Sequence, residues 1–358
     1  MIKYLGSKRT LVPRIAALAA AVRAHSGART VADLFTGTTR VAQALKRDGF
    51  DVHANDLASY SAVLATCYIE ADGADDALRA RVSEKLAYLD ALEGTDGYVT
   101  RTFCEEARYF QPFNGRRIDA IRAAIDGVAD DRVERAILLT ALLLAADRVD
   151  STTGLQMAYL KAWAPRSHQP LALRLPELVP GTGRATCEDT NALVESMAPV
   201  DLAYIDPPYN QHSYFSNYHV WETIVRDDAP PAYGIARKRE DCRTTKSRYN
   251  ARGQAWDAFA AMMRAVPARH VIVSFNDEGY FAYDDIAALL ASTHGDLAVM
   301  PVAFRRYVGA KIGIHNPSGV KVGRVSHLTN HEYLFVAGPG AEAIVAAATN
   351  GLPAGREA

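Results

Sequence analysis

Thr30-Val31-Ala32-Asp33-Leu34-Phe35-Thr36-Gly37-Thr38-Thr39, followed by a helical stretch from Arg40 to Arg47 and the apolar run Asp51-Val52-His53-Ala54, decides the fold. A short β-branched run, a Gly-bearing turn, a helix and a second short run form a unit whose two strands lie parallel, joined by a right-handed crossover. Residues 202–205 and 270–275 repeat the pattern of a buried strand that ends in a polar loop. Four such segments predict an open α/β sheet with ligand loops at its carboxyl edge.

The polar residues at those strand ends narrow the ligand. Asp33 closes the first strand beside a turn whose N–H groups start the next helix, so it can draw in a cationic group. Asp56 closes the second strand, where an acidic side chain accepts hydrogen bonds from ribose hydroxyls. Such a site suits a zwitterion carrying sulfonium and ammonium charges. A nicotinamide dinucleotide is disfavoured, because residues 33–38 lack the Gly-x-Gly-x-x-Gly run that lets a backbone approach a pyrophosphate. A glycine in such a turn also serves simple steric relief.

Downstream, the apolar run Ala203-Tyr204-Ile205 ends in Asp206-Pro207-Pro208-Tyr209. An amino group conjugated to an aromatic ring is a poor nucleophile, and these four residues suit it. The Asp206 carboxylate accepts one amine hydrogen, the Pro207 carbonyl accepts the other, and Tyr209 offers a face on which a base stacks. The prolines fix the turn and remove competing backbone donors. Asp-Pro-Pro is also an ordinary way to end a strand, so its context matters.

The 358 residues, 49% of them hydrophobic, suffice for a large core, and a formal net charge of −1 gives no global pull toward polyanions. The four cysteines, Cys67, Cys104, Cys187 and Cys242, are scattered without the short paired spacing of a zinc site or a disulfide framework, so no metal is expected. The start Met1-Ile2-Lys3-Tyr4 is unlike a secretion signal, and the apolar run at 136–146 is too short to span a bilayer. A cytoplasmic location is the expectation. From 61 to about 178 the pattern turns helical, notably at 75–92 and 118–150, with an irregular aromatic stretch at 103–113. Residues 151–180, rich in Gly, Pro, Arg and His, read as a functional loop or a poorly packed linker. The domain reading is a discontinuous catalytic domain of 1–60 and 181–340, a helical insertion of 61–180 and a C-terminal tail of 341–358.

Three separated blocks resemble the DNA adenine methylase family, which modifies the exocyclic N6 of adenine: Lys3-Tyr4-Leu5-Gly6-Ser7-Lys8, then Asp33-Leu34-Phe35-Thr36-Gly37 with Asn55-Asp56, then Asp206-Pro207-Pro208-Tyr209. Residues 213–219, 274–279 (Ser-Phe-Asn-Asp-Glu-Gly) and 330–335 look familiar in the same way. The resemblance implies a Rossmann-like S-adenosylmethionine-dependent methyltransferase sheet with a mainly helical inserted target-recognition region. It implies S-adenosylmethionine as cofactor, held by Tyr4, Lys8, Asp33, Phe35, Gly37, Asp56, Asp189 and Asp206, and catalysis by Asp206, Pro207, Pro208 and Tyr209. In one departure, Thr38-Thr39 stands where many relatives have a second glycine, so the turn carries side chains.

Double-stranded DNA is the expected partner, with a cognate restriction endonuclease acting on the same site, and a monomer is the expected state. Arg237, Lys238, Arg239, Arg243, Lys246 and Arg248 crowd one loop as candidate phosphate ligands, while Asn114, Arg116 and Lys161 in the insertion are candidates for reading bases. A charge run is often only a solvated face. Two other readings stay open: methylation of RNA adenine or of a protein glutamine amide, and a catalytically silent nucleic-acid-binding relative.

Overall fold

A computed structural model of the chain describes residues 2–4, 6–211, 213–277, 279–305, 314–315, 321–323 and 329–352. Leu5, Glu278 and residues 353–358, all within stretches read above, lie outside the described residues. The strands are β1 (Thr30–Asp33), β2 (Asp51–Asn55), β3 (Gly183–Thr186), β4 (Val200–Ile205), the two-residue β5 (Ala232–Tyr233) and β6 (Lys238–Arg239), β7 (Ala268–Asn276), β8 (Leu297–Arg305), β9 (Ile314–His315), β10 (Lys321–Gly323) and β11 (Thr329–Ala337). Seven of them form one sheet in the order β3-β2-β1-β4-β7-β11-β8. The first five run parallel, and β11 enters antiparallel to both β7 and β8.

The sheet is buried on both faces, which is why its central strands read as continuous apolar runs rather than alternating ones. Val31, Leu202 and Tyr204 pack on one side with α1 (Val12–Ser26) and α2 (Arg40–Arg47). Ala32, Ala203 and Ile205 pack on the other, against Phe259 and Met263. The neighbours differ because successive strand residues point to opposite faces. The predicted crossover thus stands, and α2 spans the expected residues. β1 stops at Asp33, earlier than the apolar run, although Leu34 N–H still donates to the Tyr204 carbonyl at 3.2 Å and Thr36 N–H to the Asn55 carbonyl at 2.9 Å. The sheet edges β3 and β8 were not singled out from the sequence.

Between β2 and β3 the described chain is helical: α3 (Ser59–Ala65), α4 (Asp76–Asp90), α5 (Pro112–Val128) and α6 (Arg132–Val149). The stretch expected as one helix over 118–150 is two, because Ala129-Asp130-Asp131 breaks it and the Asp131 side chain caps α6 by accepting from Glu134 N at 2.9 Å. After β3 come α7 (Thr190–Ser196), α8 (Tyr214–Asn217) and α9 (His219–Arg226). Tyr218, Trp221 and Ile224 share one apolar cluster with Phe103, Ile121 and Leu139 of the insertion. The helical region therefore completes its core with residues that follow the Asp-Pro-Pro-Tyr turn. Glu222, fully buried, accepts from Ser59 N and Tyr60 N, tying α9 to the start of α3.

The segment 151–180 is not a poorly packed linker. Gln156 is 4% exposed, its Oε1 accepts from Val220 N and Trp221 N, and its backbone carbonyl accepts from the Tyr109 hydroxyl. Past α10 (Arg252–Ala265) and α11 (Tyr283–His294), the final helix α12 (Ala341–Gly351) buries Ala341, Ile344 and Ala348 in the cluster that holds Leu18 and Val22 of α1. The described part of the tail thus belongs to the core of the sheet domain.

Candidate active site

At the carboxyl edge of β1, β2 and β4 lies a cleft of about 260 Å3. Its walls include Tyr4, Lys8, Asp33, Phe35, Gly37, Asp56, Asp189 and the Asp206-Pro207-Pro208-Tyr209 turn, so residues drawn from four distant blocks of sequence line one space. Arg226, Thr245, Ser247, Tyr249 and Asn250 also line it and were not foreseen.

One end is acidic. Asp33, 1% exposed, accepts from the Thr36 hydroxyl at 3.0 Å through Oδ2, while Oδ1 has no hydrogen-bond partner among the described residues. Burial pushes its carboxyl up to about 7, against the Thr36 hydrogen bond. A buried carboxylate with one unsatisfied oxygen at a cavity wall is costly without a ligand and fits a cationic group. Asp56 accepts from Gly37 N at 2.8 Å and Ala58 N at 3.0 Å, and burial raises it to about 6. Each oxygen keeps a lone pair for a hydroxyl donor. Gly37 has φ 51°, and a Cβ there would lie 3.4 Å from the Tyr4 ring. Two residues on, Thr39 takes φ 63° and is fully buried. The chain thus holds a left-handed position, which favours glycine, with a β-branched residue. Its hydroxyl donates to the Thr38 carbonyl at 2.6 Å and accepts from Gln43 Nε2 at 2.8 Å.

Also lining the cleft, Asp189 caps α7 by accepting from Asn191 N and Ala192 N, and pairs with Arg248 at 3.4 Å. Tyr4 packs near-parallel to both Tyr214 and Tyr218, with ring centroids 5.3 and 4.6 Å away and those two rings 6.5 Å from each other, and Tyr218 stacks on Trp221 at 4.7 Å. This column of rings joins the cleft to the helical core. Gly6, at φ 72°, lets the N-terminal segment pass, since a Cβ there would sit 2.6 Å from the Tyr214 hydroxyl oxygen.

Asp206 follows directly on β4. Lys8 Nζ lies 3.1 Å from Asp206 Oδ1 and 3.3 Å from Glu332 Oε1, and it stands 5.6 Å from the centroid of the Tyr209 ring. Lys8 was expected as a cofactor contact; its side chain, 8% exposed, bridges two carboxylates at the cleft wall. Burial opposes its charge, but Asp206, Tyr209 and Glu332 hold the ammonium well above the usual lysine range. Burial in turn pushes Asp206 up to about 6, with Lys8 pulling it down and Glu332 adding repulsion. Tyr209 leans on Phe275 at 4.7 Å between centroids, and its hydroxyl accepts from Asn276 Nδ2 at 3.2 Å. Glu332 is a single acid on the largely apolar β11. That isolation was the available hint.

Two candidates for nucleic-acid contact are corrected. Asn114 is fully buried, its amide donating to the carbonyls of Ser167 and Gln169 and its Oδ1 accepting from Leu171 N, so no atom is left to read a base. Arg239 is 2% exposed and donates to both oxygens of Asp228 and of Asp241, which fastens the β5–β6 loop rather than clamping phosphate. Several others are ion-paired at the surface: Arg116 with Asp96, Arg237 with Glu106, Arg243 with Glu240 and Arg248 with Asp189. Lys161 and Lys246 are exposed and Lys238 half-buried, none of them ion-paired among the described residues.

A five-strand parallel sheet closed by an antiparallel pair, with an acidic cleft beside an Asp-Pro-Pro-Tyr turn, defines a Rossmann-like methyltransferase. Residues 4–276 match the D12 class N6 adenine-specific DNA methyltransferases, and the chain belongs to that family. It is similar to modification methylase StsI of Streptococcus sanguinis, 32% identical over 324 residues that cover 86% of this chain and 49% of that protein. Type II methyltransferase M.FokI of Planomicrobium okeanokoites is 30% identical, with 93% and 52% covered, and type II methyltransferase M.NlaIII of Neisseria lactamica 29% identical, with 87% and 93% covered. The chain spans about half the length of the first two of these relatives. Membership implies a methyl donor, and no helix among the described residues is long and apolar enough to cross a membrane.

Proposed function

We propose that this chain transfers a methyl group from S-adenosylmethionine to the N6 amine of adenine in duplex DNA, with the target base turned out of the helix. The observation that carries the reading is the convergence of Asp33, Asp56 and the Asp206-Pro207-Pro208-Tyr209 turn on one cleft. The bound donor supplies an electrophilic methyl group on a sulfonium. Asp33, with its unpartnered oxygen, would take the donor's ammonium, Asp56 its ribose hydroxyls, and Asp189 the region of its adenine. Lys8 fixes the Asp206 carboxylate. Asp206 and the Pro207 carbonyl accept the two hydrogens of the target amine, so its nitrogen is aligned and the positive charge it gains is stabilised away from water.

A base inside a duplex cannot reach such a turn, and extruding it costs a few kcal/mol. Stacking on Tyr209 recovers part of this, since base–aromatic stacking contributes about 1–3 kcal/mol. The modification methylase names of the relatives make a restriction endonuclease acting on the same site the partner we infer. Radiolabelled S-adenosylmethionine offered with duplex DNA, RNA and protein tests the reading. Label is expected in duplex DNA, as N6-methyladenine; label in RNA or in protein glutamine alone would replace this substrate, and no label anywhere would favour a silent binder.

A further inference from the structure

A second cleft, about 420 Å3, shares Thr38 and Arg40 with the first and lies between α2, the carboxyl half of α6 and residues 174–177. Arg9, Arg40, Arg47, Arg148 and Arg174 line it, with Glu177 the one carboxylate. Among the described residues none of these five guanidinium groups is ion-paired, whereas most basic side chains of the loop after the catalytic turn are. Arg40 Nε is buried with no hydrogen-bond partner among the described residues. Arg148 and Arg47 donate to neutral oxygens, of Ala172 and Gln43. Burial lowers the pKa of Arg40 and of Arg148, with Arg9 adding to the effect on the first and Arg174 on the second.

Five like charges converging in a partly desolvated cleft repel one another, and their planar forks match phosphate oxygens. We propose that this cleft binds phosphates of the DNA backbone flanking the target nucleotide. The inference rests on DNA being the substrate. The duplex is chosen over a free phosphate because the two clefts meet at Thr38 and Arg40, so a strand whose base enters the first brings its neighbouring phosphates to the second. Arg9, Arg47 and Arg174 are exposed at its rim, where an extended backbone has access. Contacts of this kind position DNA without reading sequence.

The test is fluorescence anisotropy with a labelled duplex, without donor, on the full chain. The Arg47→Gln/Arg174→Gln double variant alters two exposed side chains and should fold normally. It is expected to bind about 10-fold more weakly near 0.1 M salt, equally for any sequence, with the slope of log affinity against log salt flatter by about 2. Arg29→Gln, which removes a positive charge just before β1 at the amino edge of the sheet, should bind as the wild type does. Unchanged affinity and slope in the double variant would overturn the proposal. So would loss of inorganic tripolyphosphate binding alone, which would reassign the cleft to free phosphates. A wild type that binds duplex through Arg47 and Arg174 yet methylates nothing would overturn the proposed activity and leave this inference standing; a wild type that binds no duplex would overturn both.

Discussion

Asp206→Asn is expected to slow methyl transfer by about 10^2- to 10^3-fold, the range seen when one preorganised electrostatic contact is removed from a reacting centre. The asparagine amide keeps the shape of the carboxyl group but can present N–H where the target amine needs an acceptor, and it carries no charge to match the one that develops on nitrogen. Lys8 keeps Glu332 as a partner, and the substituted carboxylate is one that burial already makes unfavourable, so the unfolding transition should not move downward. The same carboxylate sets the pH response. Its active form is ionised and its pKa is raised to about 6, so wild-type kcat/KM should fall as pH drops through about 6. That acid limb should be missing from the residual activity of Asp206→Asn. Full activity in the variant, or an acid limb unchanged by it, would remove Asp206 from the reaction.

Asp33→Asn should act in two opposite directions. With its pKa near 7 in the fold and near 3.8 when unfolded, Asp33 binds its proton more tightly in the native state. Its contribution to stability is therefore full below about pH 4 and is lost as pH rises through about 7. A shift of this size caps the effect at about 4 kcal/mol, and relaxation around the site reduces it, so the ligand-free variant should gain about 1–3 kcal/mol at pH 7.5 and little at pH 4. Donor affinity should drop by about 100-fold or more, because the variant offers no charge to a ligand ammonium. Denaturant titrations at both pH values and calorimetry with S-adenosylmethionine measure the two effects. Unaltered donor affinity would place the ammonium elsewhere.

The part of the fold legible in the sequence is the part written in short contiguous code. The β1–α2–β2 unit needs only an apolar run, a turn and a second run, and Asp33, Asp56 and Asp206 could be located because each closes a strand. The edges β3 and β8 are hard to see in the sequence: Gly183-Arg184-Ala185-Thr186 has too little apolar character to stand out, and Pro301 in the middle of β8 reads as a strand breaker. Asn114 is a candidate in the sequence because an amide suits an adenine edge, which says nothing of burial. Close packing places it inside instead, where a Cβ on Gly115 would meet Cys104 Sγ at 2.3 Å. Arg239 was counted with its basic neighbours although Asp228 and Asp241 stand close in sequence and neutralise it. The arginine cleft was invisible for a different reason. Residues 9, 40, 47, 148 and 174 form no cluster until tertiary packing gathers them.

Soaking crystals of the protein with S-adenosylmethionine tests most directly whether the acidic cleft and the Asp-Pro-Pro-Tyr turn form one reaction centre. The account predicts the ammonium at Asp33, ribose hydroxyls at Asp56, and the methyl group facing the position beside Asp206 where a target amine would come within about 3–3.5 Å of it. Donor density away from Asp33 and Asp56, or a methyl group turned from Asp206 toward bulk solvent, would contradict it.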